Sequence, residues 1–189
     1  GNIGYEDVIV RKDIIDPVIS IITPASNELF GNATLDFELS ITELNLHSIW
    51  YSLNGGENFS ATDPSDTIDQ AAWDACGNGT VTIRFYVNDT VGNLAFEEVT
   101  VRKYTHFPDI TIITPISNQL CGNTTLDFEL SIDELYLDST WYTLNGGPSY
   151  NFTGTSGTIN QTAWDACGNG TVTIRFYANN TAGNTAFSE

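Results

Sequence analysis

The chain carries one sequence twice. Pro17 to Glu98 and Pro108 to Glu189 match at roughly two positions in three, without a gap, at the constant offset of 91 residues that separates Pro17 from Pro108. Such a period reports copies of one structural unit strung in series, each near the size at which a single small core is feasible. The match also runs backwards. Gly1-Asn2-Ile3-Gly4-Tyr5-Glu6-Asp7-Val8-Ile9-Val10-Arg11-Lys12 lines up with Gly92-Asn93-Leu94-Ala95-Phe96-Glu97-Glu98-Val99-Thr100-Val101-Arg102-Lys103, and Glu189 aligns with Glu98. The expected organisation is a closing-strand segment of a preceding or neighbouring module over residues 1–12, a first module over 13–103, and a second over 104–189 without its last strand.

Bulk charge narrows the partners. Six Lys and Arg stand against 24 Asp and Glu, a net charge of −18, which repels nucleic acid and anionic membranes and favours cations as small partners. The few basic residues recur at equivalent places, Arg11 with Arg102 and Arg84 with Arg175, so they build no patch. Hydrophobic residues at 41% and aromatics at 12% are enough for folded modules. No apolar run is long enough to span a bilayer as a helix.

Asparagine points to the compartment. Asn-x-Ser/Thr occurs at Asn32, Asn58, Asn78, Asn88, Asn123, Asn151, Asn160, Asn169 and Asn179, nine of 18 Asn and more than chance gives. These are candidate glycosylation sites and imply export, although Asn-Gly-Thr at Asn78 and Asn169 also reads as turn chemistry.

Within a module the hydrophobic period is two. Leu35, Phe37, Leu39 and Ile41 alternate with polar residues, as do Val81, Ile83, Phe85 and Val87, the pattern of strands with one dry face. Further strands are expected at Ile19 to Ile22, Ile49 to Leu53 and Leu94 to Val101, and one helical turn within Asp69 to Ala75. Short strands separated by Gly, Pro and Asn turns indicate an all-β fold, a tandem of antiparallel two-sheet sandwiches.

Trp50-Tyr51, the Trp73 to Gly79 corner and the run Thr80 to Asn93, ending Asp89-Thr90-Val91-Gly92-Asn93, resemble bacterial and archaeal Ig-like repeats of cell-surface proteins. The resemblance covers both modules and implies arrays in adhesins, surface layers, stalks or filaments, with a structural or adhesive role. Fold analogy leaves function to be argued from the sites.

Of the three cysteines, Cys76 and Cys167 are equivalent, whereas Cys121 stands where the first module has Phe30. In an Ig-type sandwich the second and sixth strands run in the same direction, and Cys121 and Cys167 each precede one of them. A Cys121–Cys167 disulfide is expected, two buried thiols being the alternative; closing a loop of this length contributes about 4 kcal/mol. Cys76 reads as a buried apolar residue.

Catalytic constellations are missing from the sequence: His47 and His106 are unrepeated, and no nucleophile, zinc or phosphate-loop motif occurs. The expectation is that the chain is no enzyme. Calcium is the cofactor candidate, with Asp13 and Asp16 in the first linker and Asp89 at a strand end, against a solvated acidic surface as the alternative. The second module has Tyr104, Phe107 and Asn180 at those places, which weakens the case there. Trp50, Trp73, Trp141 and Trp164 recur in step with the strands and are expected in the core rather than on a sugar-stacking platform.

A sheet edge without its closing strand must find one. Ile3, Tyr5, Val8 and Val10 lie on a strand of the right kind, so the missing partner comes either from a longer chain or from a neighbouring copy by strand addition, head to tail. The function expected is a structural or adhesive repeat unit of a cell-surface stalk, surface layer or filament, with copies of itself, adjacent modules, and surface glycans or proteins as partners. The alternative is a carbohydrate- or protein-binding accessory module of a secreted enzyme.

Overall fold

Alternating side chains become strands here because each apolar stripe has an opposite stripe to bury against. The structure, a computed structural model, describes residues 3–189, so Gly1 and Asn2 of the expected closing segment lie outside the described residues. Contacts divide it into two compact units: Gly1–Glu28, Thr34–Cys76 and Thr80–Val101 form the first, and Leu29–Ala33, Gly77–Gly79 and Arg102–Glu189 the second.

In chain order the first repeat contains β1 (Val18–Thr23), β2 (Leu29–Phe30), β3 (Asp36–Thr42), β4 (Leu46–Leu53), β5 (Asn58–Ala61), β6 (Ser65–Thr67), α1 (Gln70–Ala75), β7 (Gly79–Asp89) and β8 (Leu94–Lys103). One sheet of unit 1 has the order β1-β3-β6, and the other runs β8-β7-β4-β5. The β1–β3, β3–β6, β4–β5 and β4–β7 pairings are all antiparallel. The two layers meet through aromatic rings, Phe37 of β3 lying 4.8 Å from Phe85 of β7 and 5.8 Å from Tyr51 of β4. Val81, Ile83, Phe85, Val87 and Trp73 are completely buried in this interior.

Local chemistry sets the connections. Asn54 and Gly55 both have positive φ, the conformation a tight hairpin between β4 and β5 needs. Asp69 caps α1, its Oδ1 accepting from Ala72 N at 2.8 Å, while its own N–H donates to the Tyr51 hydroxyl at 2.7 Å. That bond lets a buried tyrosine keep its polar end satisfied.

The second repeat contains β9 (Asp109–Thr114), β10 (Asp127–Asp133), β11 (Leu137–Leu144), β12 (Ser149–Phe152), β13 (Ser156–Thr158), α2 (Gln161–Ala166), β14 (Ile174–Asn180) and β15 (Thr185–Ser188). Its sheets are β13-β10-β9 and β12-β11-β14-β15. Phe128, Tyr142 and Phe176 are at the centre of the core. Asn160 caps α2 and meets the Tyr142 hydroxyl as Asp69 meets that of Tyr51. The fold is thus all-β, two antiparallel sandwiches of Ig-like strand order in tandem.

One difference between the repeats is systematic. Val99 and Val101 of β8 are buried, at 7% and 0% exposure, beside fully buried Val81 and Ile83. In unit 2, Trp164, Val172 and Ile174 are only partly buried, and β14 is seven residues against eleven in β7. Residues 3–16 carry no strand; Ile3, Tyr5, Val8 and Val10 are 91%, 84%, 85% and 79% exposed.

Unit 2 is finished by the short segments it recruits. Leu29 and Phe30 pair in parallel with Arg102 and Lys103, and Tyr104 N donates to Phe30 O at 2.9 Å. Buried Asn184 donates through Nδ2 to Tyr104 O (2.8 Å) and His106 O (3.0 Å), while its Oδ1 accepts from Asn32 N and Nδ2.

Candidate functional site

Three features can carry function: an acidic cluster in unit 1, an aromatic row on the outer face of each unit, and the set of sequons.

The acidic cluster is Asp13, Glu43 and Asp89, whose carboxylate oxygens all lie within 4.8 Å of one another. The β7–β8 turn positions Asp89. Its Oδ1 accepts from Val91, Gly92 and Asn93 N at 2.7 to 2.9 Å, and its Oδ2 accepts from Asn93 Nδ2 at 2.7 Å. Burial pushes the Asp89 carboxyl up, but the hydrogen bonds from the Asn93 side chain and the three backbone groups outweigh it and hold its pKa below the ordinary carboxylate value. Asn45 fastens the other two acids, donating Nδ2 to Asp13 Oδ2 (3.2 Å) and its backbone N–H to Glu43 Oε1 (2.7 Å). Asp16 is exposed and stands outside the cluster, a correction to the expected ligand set; Glu43 takes its place.

The donor set suits a hard divalent cation. Calcium binds oxygens at about 2.4 Å, so ligands on opposite sides of one ion stand about 5 Å apart. In unit 2 Asn180 stands where unit 1 has Asp89, and its Nδ2 donates to Glu134 Oε2 (3.1 Å) and His106 O (3.0 Å). An amide hydrogen there meets the acid that is equivalent to Glu43.

The aromatic row was misplaced by sequence reasoning. Trp73 is fully buried and Trp164 packs against the core of unit 2, as expected, but Trp50 and Trp141 are half-buried on the outer faces of their sheets. Trp50 stacks on Tyr86 with centroids 5.4 Å apart and rings 5° from parallel, and Tyr86 continues to Phe96 at 6.1 Å. In unit 2 Trp141 stacks on Tyr177 at 5.2 Å, also at 5°, and Tyr177 continues to Phe187 at 5.8 Å. Arg84 and Arg175 close the rows, their guanidinium carbons 4.8 and 4.5 Å from the Phe96 and Phe187 rings, and each pairs with a carboxylate, Glu98 or Glu189. The missed signal is parity: Ile49 and Tyr51 face inward, so Trp50 between them must face out.

The sequons fall into two groups. Asn58, Asn78, Asn123, Asn151, Asn160 and Asn169 are exposed. Asn32, Asn88 and Asn179 are partly buried and bonded: Asn32 Nδ2 donates to Thr105 O and Asn184 Oδ1, while Asn88 and Asn179 accept from Ser48 and Ser139.

The expected Cys121–Cys167 bridge is not formed. Both are half-buried thiols beside the same core cluster, and each sulfur donates to a local carbonyl, Cys121 to Gln119 O at 3.7 Å and Cys167 to Ala163 O at 3.3 Å. Cys76 is half-buried, its sulfur donating to Ala72 O at 3.4 Å. His47 and His106 are exposed. Among the described residues, no helix is long and apolar enough to cross a membrane.

No family model matches the chain, and no curated protein sequence does. Among solved structures it is similar to one described as "Structural insight into host cell surface retention of a 1.5-MDa bacterial ice-binding adhesin", at 14% identity and a TM-score of 0.42, covering 93% of this chain and 65% of that one. A dimeric latent PorU from Porphyromonas gingivalis follows at 14% identity and 0.39, covering 93% and 20%. The D00-D0 domain of Intimin aligns at 12% identity and 0.32, covering 91% and 97%. The chain spans less than two thirds of the length of the first two of these.

Proposed function

We propose that this chain is a stretch of an extracellular structural or adhesive protein, a repeat of a cell-surface stalk, surface layer or filament whose Ig-like modules are linked end to end. Its role is mechanical or adhesive rather than catalytic. The observation that carries this reading is β8. Its valines complete the core of unit 1, and the same strand runs on through Arg102 and Lys103 into unit 2. The partly buried Trp164, Val172 and Ile174 mark where the remainder of the strand begun by β15 belongs beside β14. That strand is supplied either by continuation of the chain or by a neighbour's segment carrying Ile3, Tyr5, Val8 and Val10. Copies of itself or adjacent modules, head to tail, are therefore the primary partners, with surface glycans or proteins as further ones. Electron microscopy of native material tests this: threads or lattices are expected, and lone particles whose terminal sheet is complete without another strand would overturn it.

Calcium is proposed as a structural ion of unit 1, held by Asp13, Glu43 and Asp89. Its chemistry there is charge neutralisation, bringing the linker acid Asp13 to the strand ends.

A further inference from the structure

The outer face of unit 2 carries a straight line of four residues, one from each strand of its larger sheet. Asn151 of β12 lies directly opposite Trp141 of β11, Trp141 opposite Tyr177 of β14, and Tyr177 opposite Phe187 of β15. Their neighbours in sequence, Tyr142, Phe152 and Phe176, belong to the core side, so by strand alternation all four side chains share the solvent face. One face of the Trp141 indole is taken by Tyr177. The other looks toward β12, where the residue opposite is Asn151. Directly opposed side chains have Cβ atoms about 5 Å apart, the depth of one ring stacked on another.

Asn151 is also the acceptor of the sequon Asn151-Phe152-Thr153, it is exposed, and among the described residues none hydrogen-bonds its side-chain amide. We infer that Asn151 carries an N-linked glycan whose first sugar seats on the free face of Trp141, extending the row Phe187-Tyr177-Trp141 by one more ring. The C–H-bearing face of a pyranose is apolar and weakly positive, and it complements the negative face of an indole.

The covalent step is a substitution at the anomeric carbon of a sugar borne on a polyprenyl phosphate or pyrophosphate. Asn151 Nδ2 forms the new C–N bond as the C–O bond to phosphate breaks. The amide gives up one proton, and the lipid phosphate leaves with the bonding electron pair. Nothing is oxidised or reduced.

Unit 1 supplies the control. There the row ends in Ser60, opposite Trp50, and its exposed sequon Asn58 lies opposite Ser52 instead, in the line of Arg84. A sugar on Asn58 has no indole directly across from it.

The test is glycopeptide mass mapping of chain purified from a glycosylating host, followed by a four-cornered comparison of thermal midpoints. The corners are wild type, Thr153→Ala, Trp141→Leu and the double variant, with Ser60→Ala as the matched loss at Asn58. A sugar mass on the Asn151 peptide is expected, with a drop of a few degrees on Thr153→Ala that largely disappears when Trp141 is already Leu, and no such coupling for Ser60→Ala. A second readout needs no variant: enzymatic deglycosylation should increase oxidation of Trp141 by N-bromosuccinimide and leave Trp50 unchanged. A bare Asn151 with sugars on other sequons overturns this inference alone. Bare asparagines throughout remove it together with the glycoprotein argument for export. Additive midpoints with unchanged Trp141 oxidation overturn the seating, and so does saturable binding of free oligosaccharide to the row on glycosylated protein.

Discussion

Gly31 lies against Ala182 so closely that a Cβ at position 31 would overlap the Ala182 carbonyl oxygen and stand 2.7 Å from Asn184 Oδ1. The contact is with backbone, which cannot swing aside as a side-chain tip can. Gly31→Ala is therefore expected to destabilise unit 2 by about 1–3 kcal/mol through overpacking, read as a lower urea midpoint. An unchanged midpoint would mean the two backbones do not approach in solution.

Asn184 satisfies two carbonyls with one amide group, and its oxygen receives Asn32. Asn184→Asp keeps the shape but aims a carboxylate at Tyr104 O and His106 O; Tyr104 O loses its Asn184 donor, while His106 O keeps the one from Asn180 Nδ2. A loss of about 1–3 kcal/mol, from the Tyr104 carbonyl left facing a carboxylate, is expected in chemical denaturation.

Asp89 and Asn180 occupy equivalent turns with different charge, which separates the pH responses of the two units. Asp89 has a lowered pKa in the folded state, so its contribution is present above the unfolded value of about 3.9 and is lost as pH falls through the folded one. Asp89→Asn should remove this acid-side loss from unit 1. If calcium occupies the cluster, a chelator at neutral pH should lower the melting transition of the wild type and leave that of Asp89→Asn in place; no shift in the wild type excludes a structural ion of appreciable affinity.

Tryptophan position predicts a graded mutational response. Trp73→Ala empties a fully buried site and is expected to cost about 3–5 kcal/mol, whereas Trp50→Ala removes a surface cross-strand pair worth about 1 kcal/mol. Equal losses in denaturant titrations would return Trp50 to the core.

Alkylation of the unfolded chain without reductant is expected to label both Cys121 and Cys167. A peptide pair joined through the two sulfurs would contradict the thiol state.

Period-two alternation was enough to place Phe37, Leu39, Ile83 and Phe85 in the core, because burial on one face is what alternation records. The helical turn within Asp69 to Ala75 was legible for a similarly local reason, and the structure adds the Asp69 cap that starts it. Recurrence was the wrong guide for Trp50 and Trp141: a repeat preserves outward residues as faithfully as inward ones. Glu43 is not legible as a ligand in the sequence because it lies in neither the linker nor the β7–β8 turn: the fold brings this third carboxylate in from the β3–β4 turn. The cysteines were misjudged since lying beside a common core does not by itself bring two sulfurs into bonding geometry.

The parallel pairing of Leu29 and Phe30 with Arg102 and Lys103 joins a strand near the start of the first repeat to the one that ends it. Pulling the two ends of that repeat apart slides these strands past each other in opposite directions. Their hydrogen bonds then fail together in shear rather than unzipping one at a time, so a pairing of only two residues works as a latch against stretching.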